Sequence, residues 1–291
     1  MTKSFVKGWS LAAAIGLLLS VWPLETFAQP KNPTLEWFSW SIFRLTSPSG
    51  KVFLTNPFVV NPFSPVTVDD FKKVDYIFVA TGHGDEIGQS AEIALKTKAK
   101  IFTSYTYARG YFQARKVPAR QMLRVGPGAR VRLGAITVRI VGAVHGSTTR
   151  EGLSDGSAMG LFITFENGLT VYFAGSTAVT MDMQLWGRLY KPHVAILPLS
   201  PNSDPRDVVE MVRLLRSGNP NLTTIIPHHQ NAGLEVRAGI SAKRAKSIKR
   251  RYNSGTTPAD LAAALKASGL PVTMINPELG KVYQLTKQGK P

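Results

Sequence analysis

Cysteine is absent from this chain of 291 residues. Without a thiol there is no disulfide staple, no thiolate metal site and no cysteine for lipid attachment. The fold must hold on its own apolar core, and the length suffices for one large domain. Acidic residues are scarce: 18 Asp and Glu stand against 35 Lys and Arg, a formal net charge of +17. Such a chain is drawn to anionic partners, among them lipid headgroups, acidic glycans, nucleic acid and phosphorylated small molecules. The basic excess gathers in two stretches, Lys96 to Arg139 and Arg237 to Arg251. The second holds Arg237, Lys243, Arg244, Lys246, Lys249, Arg250 and Arg251 with no acid among them. It reads as a solvated, mobile loop over 236–255. Tyr252 stands alone there, so nothing supports base stacking, and no specific nucleic-acid binding is expected. Repeats, low-complexity tracts and clean interior linkers are missing too.

One long apolar run exists, from Trp9 to Trp22. Lys3 and Lys7 precede it, Pro23 breaks it, and Thr26-Phe27-Ala28 offers small residues where a signal peptidase reads. The run is short for a membrane span of about 20 residues. Residues 1–28 therefore read as a signal peptide cut after Ala28, and residues 29–291 as one periplasmic or secreted domain.

Apolar runs bounded by turn residues give the remaining elements. Leu35–Phe38, Ser41–Leu45 and Lys51–Leu54 read as a meander of short strands. Val74–Ala80 reads as a buried strand ending in Thr81-Gly82-His83-Gly84-Asp85-Glu86, a glycine-rich turn crowded with a His, an Asp and a Glu. Ser90–Thr97 and Tyr105–Arg115 have helical spacing, with a strand at Lys100–Thr103. Arg130–Leu133 and Ile136–Val141 form a hairpin. Met159–Phe165 and Leu169–Ala174 form another across Glu166-Asn167-Gly168. Helices at Met181–Leu189 and Asp207–Leu215 alternate with strands at His193–Leu197 and Leu222–Ile226. A last helix starts at the cap Thr257 with Pro258 in its first turn and stops at Gly269. Strands at Pro271–Ile275 and Lys281–Leu285 close the chain. Strands dominate both halves, so the fold class is an α/β sandwich.

The chain has five histidines. His83, His145 and the pair His228-His229 each follow a strand end, as does Ser176, and strand ends on one edge of two sheets converge on a cavity. His193 and His228 read as structural, strand alternation turning His228 away from His229. The order of these segments resembles the metallo-β-lactamase superfamily, in particular the branch of ascorbate-6-phosphate lactonase-like metal-dependent hydrolases. The resemblance runs from Trp37-Phe38-Ser39-Trp40-Ser41 through the Thr81–Glu86 turn, His145 and Gly175-Ser176-Thr177 to Pro192-His193 and Pro227-His228-His229. It implies a four-layer αββα sandwich with a metal site along one sheet edge.

The same resemblance implies ligands one position at a time. His83, Asp85, His145 and His229 match. Thr81 and Glu86 stand where histidines belong, and Ser176 where a bridging Asp belongs. Outside the ligands, Ser39-Trp40 replaces a Gly-His pair and Asn56-Pro57 an Asp-Pro. Thr and Ser are poor ligands for a divalent ion, and two ions about 3.5–4 Å apart need a bridge. A dinuclear centre is therefore not expected. One divalent ion is, with zinc first and manganese or iron as alternatives. Asp85, Glu86 and His229 could hold it, or His83 and His145 could complete a mixed site, with Asp85 in a catalytic role. Such a site would hydrolyse an ester, lactone, amide or phosphoester of a small anionic substrate, with Arg109, Arg115 and Arg150 as candidate anion contacts. The alternative is a catalytically silent binding protein, its site a polar cluster and its basic surface turned to anionic envelope components.

Overall fold

The computed structural model describes residues 1–2, 32–154 and 157–288. Apart from Met1 and Thr2, the expected leader at 1–28 lies outside the described residues. The first half begins with β1 (Thr34–Trp37), β2 (Phe43–Thr46) and β3 (Val52–Thr55), an antiparallel meander. β4 (Tyr76–Phe78) follows, and then two helices, α1 (Gly84–Ile87) and α2 (Ser90–Thr97). Next come β5 (Lys100–Thr103) and α3 (Tyr105–Tyr107), continued by a π-turn over Ala108–Phe112. A short edge strand, β6 (Met122–Arg124), ends this half.

The second half contains the hairpin of β7 (Arg130–Leu133) and β8 (Ile136–Ala143), then β9 (Ala158–Thr164) and β10 (Thr170–Phe173). Helices and strands then alternate: α4 (Asp182–Tyr190), β11 (Val194–Pro198), α5 (Pro205–Arg216) and β12 (Thr224–His228). The chain closes with α6 (Ala242–Asn253), α7 (Pro258–Ser268), β13 (Thr273–Met274) and β14 (Val282–Gln284).

Two seven-stranded sheets result, in the orders β14-β1-β2-β3-β4-β5-β6 and β13-β12-β11-β10-β9-β8-β7. Between them lies a core that includes Trp37, Phe43, Phe78, Phe173 and Ile226. The outer face of the first sheet is covered by α2, α3 and the π-turn through Ile93, Ala94, Tyr107 and Phe112. The outer face of the second is covered by α4, α5 and α7 through Trp186, Val212, Leu215 and Leu261. This is the αββα sandwich the sequence resemblance implies. β3, β4 and β5 run parallel, and so do β10, β11 and β12; β8 is antiparallel to β9, which is antiparallel to β10. The chain segments after β3, β4, β8, β10 and β12 therefore leave the sheets at one edge, where Met159 N donates to the Ala80 carbonyl across the two sheets (2.9 Å).

Local chemistry explains most element ends. Thr257 and Asp260 make a reciprocal capping box on α7, Pro258 occupies its first turn, and Gly269 closes it at φ +65°. On α5 the helix starts earlier than the expected Asp207, because Asp204 caps it and Pro205 sits in the first turn. The expected mobile loop at 236–255 is corrected: residues 242–253 form α6. Ala, Lys and Arg are strong helix formers. Ala245, Ile248 and Tyr252, spaced by three and four, give the segment a narrow apolar stripe that charge composition hides.

Candidate active site

The Thr81–Glu86 turn is built from the end of β4 outward. Thr81 is buried, and its hydroxyl accepts from His83 N–H (3.1 Å), so it shapes the turn and faces no ligand role. A Cβ on Gly82 would sit 2.4 Å from the Tyr107 hydroxyl, which is why the chain needs glycine there. His83 is the N-cap of α1, its carbonyl accepting from Glu86 and Ile87 N–H. That single turn sends Asp85 and Glu86 in different directions. The Asp85 side chain is 37% exposed and its Oδ2 accepts from the Trp40 indole N–H at 3.1 Å.

Glu86 is only 1% exposed. Its Oε1 accepts from Asn56 Nδ2 (3.0 Å) and from the Ser176 hydroxyl (2.9 Å), whereas Oε2 is buried with no hydrogen-bond partner among the described residues. A carboxylate oxygen taken out of water and left without a donor is costly unless a cation or a proton meets it. Ser176 reaches this position because Gly175, at φ +64°, packs against Met159 and Ala80, where a Cβ would come within 2.6 Å of a carbonyl oxygen.

β12 delivers His228 and His229. The expectation that His228 is an ordinary core residue turned away from His229 is corrected. Its ring is fully buried and stacks on Phe173 (centroids 5.2 Å), yet its Nδ1 lies 2.7 Å from Nδ1 of His229. His229 adopts φ +61°, which swings its ring back beside its neighbour. Burial holds His228 well below the ordinary imidazole range, and the adjacent His229 adds to this. Burial also lowers His229, with Glu86 and Asp85 opposing the shift. Two neutral rings then share one proton across the Nδ1 contact. With that proton on His229, Nε2 presents a bare lone pair to the cavity, the tautomer a metal ligand needs. His193, read as structural, is so: its Nδ1 accepts from Thr170 N–H (3.1 Å).

His83 and His145 meet edge to face at 5.0 Å between centroids, with His145 exposed. These residues, with Asp85, Ser176, Thr177, Pro198, Ser200, Ser203 and His229, line one cavity of about 230 Å³. His83, Asp85, His145, His229 and Ser176 are thus brought together, with Glu86 just beneath. Arg109, Arg115 and Arg150 are not among them. Arg115 pairs with Glu151, Arg109 lies over Tyr105, and Arg150 packs on Gly84 and lines a separate cavity on the far side of the turn.

Among the described residues no three His, Asp or Glu side chains are grouped tightly enough, as they stand, to hold a metal ion. The donor set nevertheless suits one ion. His229 Nε2 is 3.9 Å from Asp85 Oδ2 and 3.9 Å from Glu86 Oε1. Two ligands on one zinc ion, each at about 2.1 Å, stand about 3.4 Å apart at a tetrahedral angle. The Glu86 oxygen at 3.9 Å is Oε1, already held by Asn56 and Ser176, so Oε2 is the oxygen left for a cation or a proton to satisfy. The Ser176 hydroxyl, where the resemblance implies a bridging Asp, is spent on Glu86.

Backbone strain concentrates here. Ser39, Trp40, Asn56 and His229 are four of the seven non-glycine residues with positive φ among the described residues. Such conformations persist where the surroundings over-determine them. Sequence reasoning missed Tyr252, whose ring packs on Trp40 (5.5 Å) and Phe63 (5.2 Å). Its hydroxyl is pushed up to about 12, by burial first and with Asp85 contributing. Being the sole aromatic in a basic segment was the available signal.

Comparison with known proteins supports the same picture. Residues 45–245 match the model of the beta-lactamase superfamily domain. A protein named UPF0173 metal-dependent hydrolase from Caldivirga maquilingensis is 34% identical over 206 residues, covering 70% of this chain and 84% of that one. One of the same name from Chloroflexus aurantiacus is 32% identical over 195 residues, covering 64% and 79%. Among solved structures, Igni18, a metallo hydrolase from Ignicoccus hospitalis, superposes with a TM-score of 0.68 at 22% identity, covering 88% of this chain and 99% of that one. This last likeness speaks for the fold.

Proposed function

The chain belongs to the metallo-β-lactamase superfamily, and on that footing we propose that it is a metal-dependent hydrolase working with one divalent ion in place of two. The observation that carries this reading is Glu86, a buried carboxylate with one oxygen unpartnered and the other 3.9 Å from His229 Nε2. His229, Asp85 and Glu86 are the first donors, with His83 and His145 beside them in the cavity and zinc the ion such a set suits best. An ion held there would supply a Lewis acid and make water acidic enough to attack near neutral pH. Asp85, fixed by Trp40 and open to the cavity, is placed to take the proton of the attacking water. Thr81 and Ser176 only hydrogen-bond. His83 and His145, in edge-to-face contact in the same cavity, would complete the ligand set of the ion. Substrates are small esters, lactones, amides or phosphoesters.

Elemental analysis of the mature protein, equilibrated with zinc and desalted, is expected to return one ion per chain. Hydrolysis across those four bond classes is expected to vanish with chelator and return with metal. Protein that carries no metal and is inert towards all four would overturn the proposal.

A further inference from the structure

The hydrolase chemistry makes no use of the outer face of α6. This helix carries Lys243, Arg244, Lys246, Lys249, Arg250 and Arg251 and no acidic residue. On a helical wheel Ala245, Ile248 and Tyr252 fall within about 60° of one another, and the six cations occupy the rest of the circumference. Tyr252 is buried against Trp40 and Phe63, so the apolar stripe faces the body. Lys243, Arg244, Lys246, Arg250 and Arg251 are exposed; among the described residues Lys249 is the one of the six in an ion pair, with Glu235, and Arg251 lies over the Tyr252 ring.

The helix holds this charge against its own electrostatics. Lys246 stands three residues from Lys243 and from Lys249 and four from Arg250, spacings at which like charges repel. Lys243 and Arg244 lie in the first turn, where the helix dipole disfavours cations, and no acid offsets them. An external array of anions would relieve both. The cations diverge from a convex surface, whereas a small anion needs converging donors, so the complementary partner is extended and flat. The outward arc has no apolar side chain to insert, which sets contact at the level of headgroups. Tyr252, the one aromatic, is buried and unavailable for base stacking, which counts against single-stranded nucleic acid. We propose that α6 docks the protein on an anionic lipid bilayer through Lys243, Lys246 and Arg250, with Arg244 and Arg251 flanking.

The test is sedimentation of the mature protein with vesicles of phosphatidylcholine containing phosphatidylglycerol, against phosphatidylcholine alone. Binding is expected only to the anionic vesicles, falling steeply as salt rises from about 0.05 M to about 0.5 M. The variant K243Q/K246Q/R250Q should bind roughly 100-fold more weakly. Its unfolding midpoint should match or exceed that of the parent, since like charges have been removed. The variant K98Q/K100Q/R120Q, which removes three exposed cations elsewhere, should keep most of the affinity. Equal binding to neutral vesicles, an unaffected α6 variant, an equal loss in the control, or tighter binding to a duplex oligonucleotide at the same salt would each overturn the proposal.

Discussion

Replacing Glu86 by Gln changes one buried atom and gives an effect whose size depends on whether an ion is bound. Glu86 is 1% exposed, with Oε1 accepting two hydrogen bonds and Oε2 accepting none. Gln keeps the acceptor towards Asn56 and Ser176. Hydrogen bonds to a charged acceptor contribute about 1.5–3 kcal/mol each and neutral ones about 0.5–1.5, so the pair weakens by roughly 2 kcal/mol. Against this, an unpaired buried charge worth several kcal/mol is removed, while the amide nitrogen now at the Oε2 position has no acceptor, at about 1–3 kcal/mol. In chelator the variant should therefore match the parent to within about 1 kcal/mol. With zinc the two separate. At an ion concentration about 100 times the parent's Kd, the parent gains about 2.7 kcal/mol. If loss of a carboxylate ligand weakens binding about 100-fold, the variant gains only about 0.4 kcal/mol at the same concentration. Urea unfolding of both proteins with chelator and with zinc reads all four numbers. An equal zinc gain in both proteins would remove Glu86 from the donor set, and a variant less stable in chelator by the full 2 kcal/mol would refute the unpaired charge.

Other outcomes follow from the same geometry. In the variant T81H/E86H/S176D with Asn56→Asp, the donors and bridge of a dinuclear site return, and zinc content should rise from one ion per chain to two; content that stays at one would show that the scaffold no longer supports the pair. Gly187 on α4 has no room for a side chain: a Cβ would lie 2.1 Å from the Leu215 carbonyl oxygen on α5, so G187A should lower stability by about 1–3 kcal/mol in urea. His228, His229 and His193 are all lowered in the fold, so their contribution is complete above the ordinary imidazole pKa near 6.5 and is lost as pH falls below it. In chelator, stability should drop between pH 6.5 and 5 by up to about 1.4 kcal/mol per pH unit for each ring, and H228Q should flatten the slope by one ring's share. Export with cleavage after Ala28 makes Gln29 the expected first residue of the mature protein, which terminal sequencing reads directly.

Features decided by neighbours in sequence were legible; features decided across the sandwich were not. The cap Thr257 with Pro258 in the first turn of α7 and the turn at Glu166-Asn167-Gly168 lie within a few residues, and both stand as read. The contacts that define the site span far more chain. Trp40 and Asp85 are 45 residues apart, Asn56 and Glu86 are 30, and Ser176 and Glu86 are 90. The sequence order of His83, His145, Ser176 and His229 placed them on one edge, but only sheet packing shows which atoms meet. Strand alternation misplaced His228 because it assumes extended backbone, and His229 at φ +61° breaks the alternation at that step. α6 was hidden by its charge, its stripe resting on one large apolar residue fixed by aromatic rings far away in sequence.

The substitutions at the site read best as one change in charge balance. A dinuclear centre brings four positive charges and needs several carboxylates, one of them bridging. Here Ser176, where the resemblance implies a bridging Asp, is a neutral hydroxyl, Asn56 is neutral, and the carboxylates in and beneath the cavity are Asp85 and Glu86. His229 and its partner His228 are held towards their neutral forms. Two carboxylates match the charge of one divalent ion and leave a second uncompensated. The hydrogen bonds suit two carboxylates: Asn56 and Ser176 both donate to Glu86, and Trp40 donates to Asp85. The strained backbone keeps this arrangement in register. His229 N–H donates to the Trp40 carbonyl (3.0 Å) and Trp40 N–H to Asn231 Oδ1 (3.1 Å), tying the end of β12 to the turn after β1. Left-handed conformations at Trp40 and His229 cost about 1–3 kcal/mol each. That cost is borne by the two residues that aim Asp85 and an imidazole at one point, as the proposed single-ion site requires.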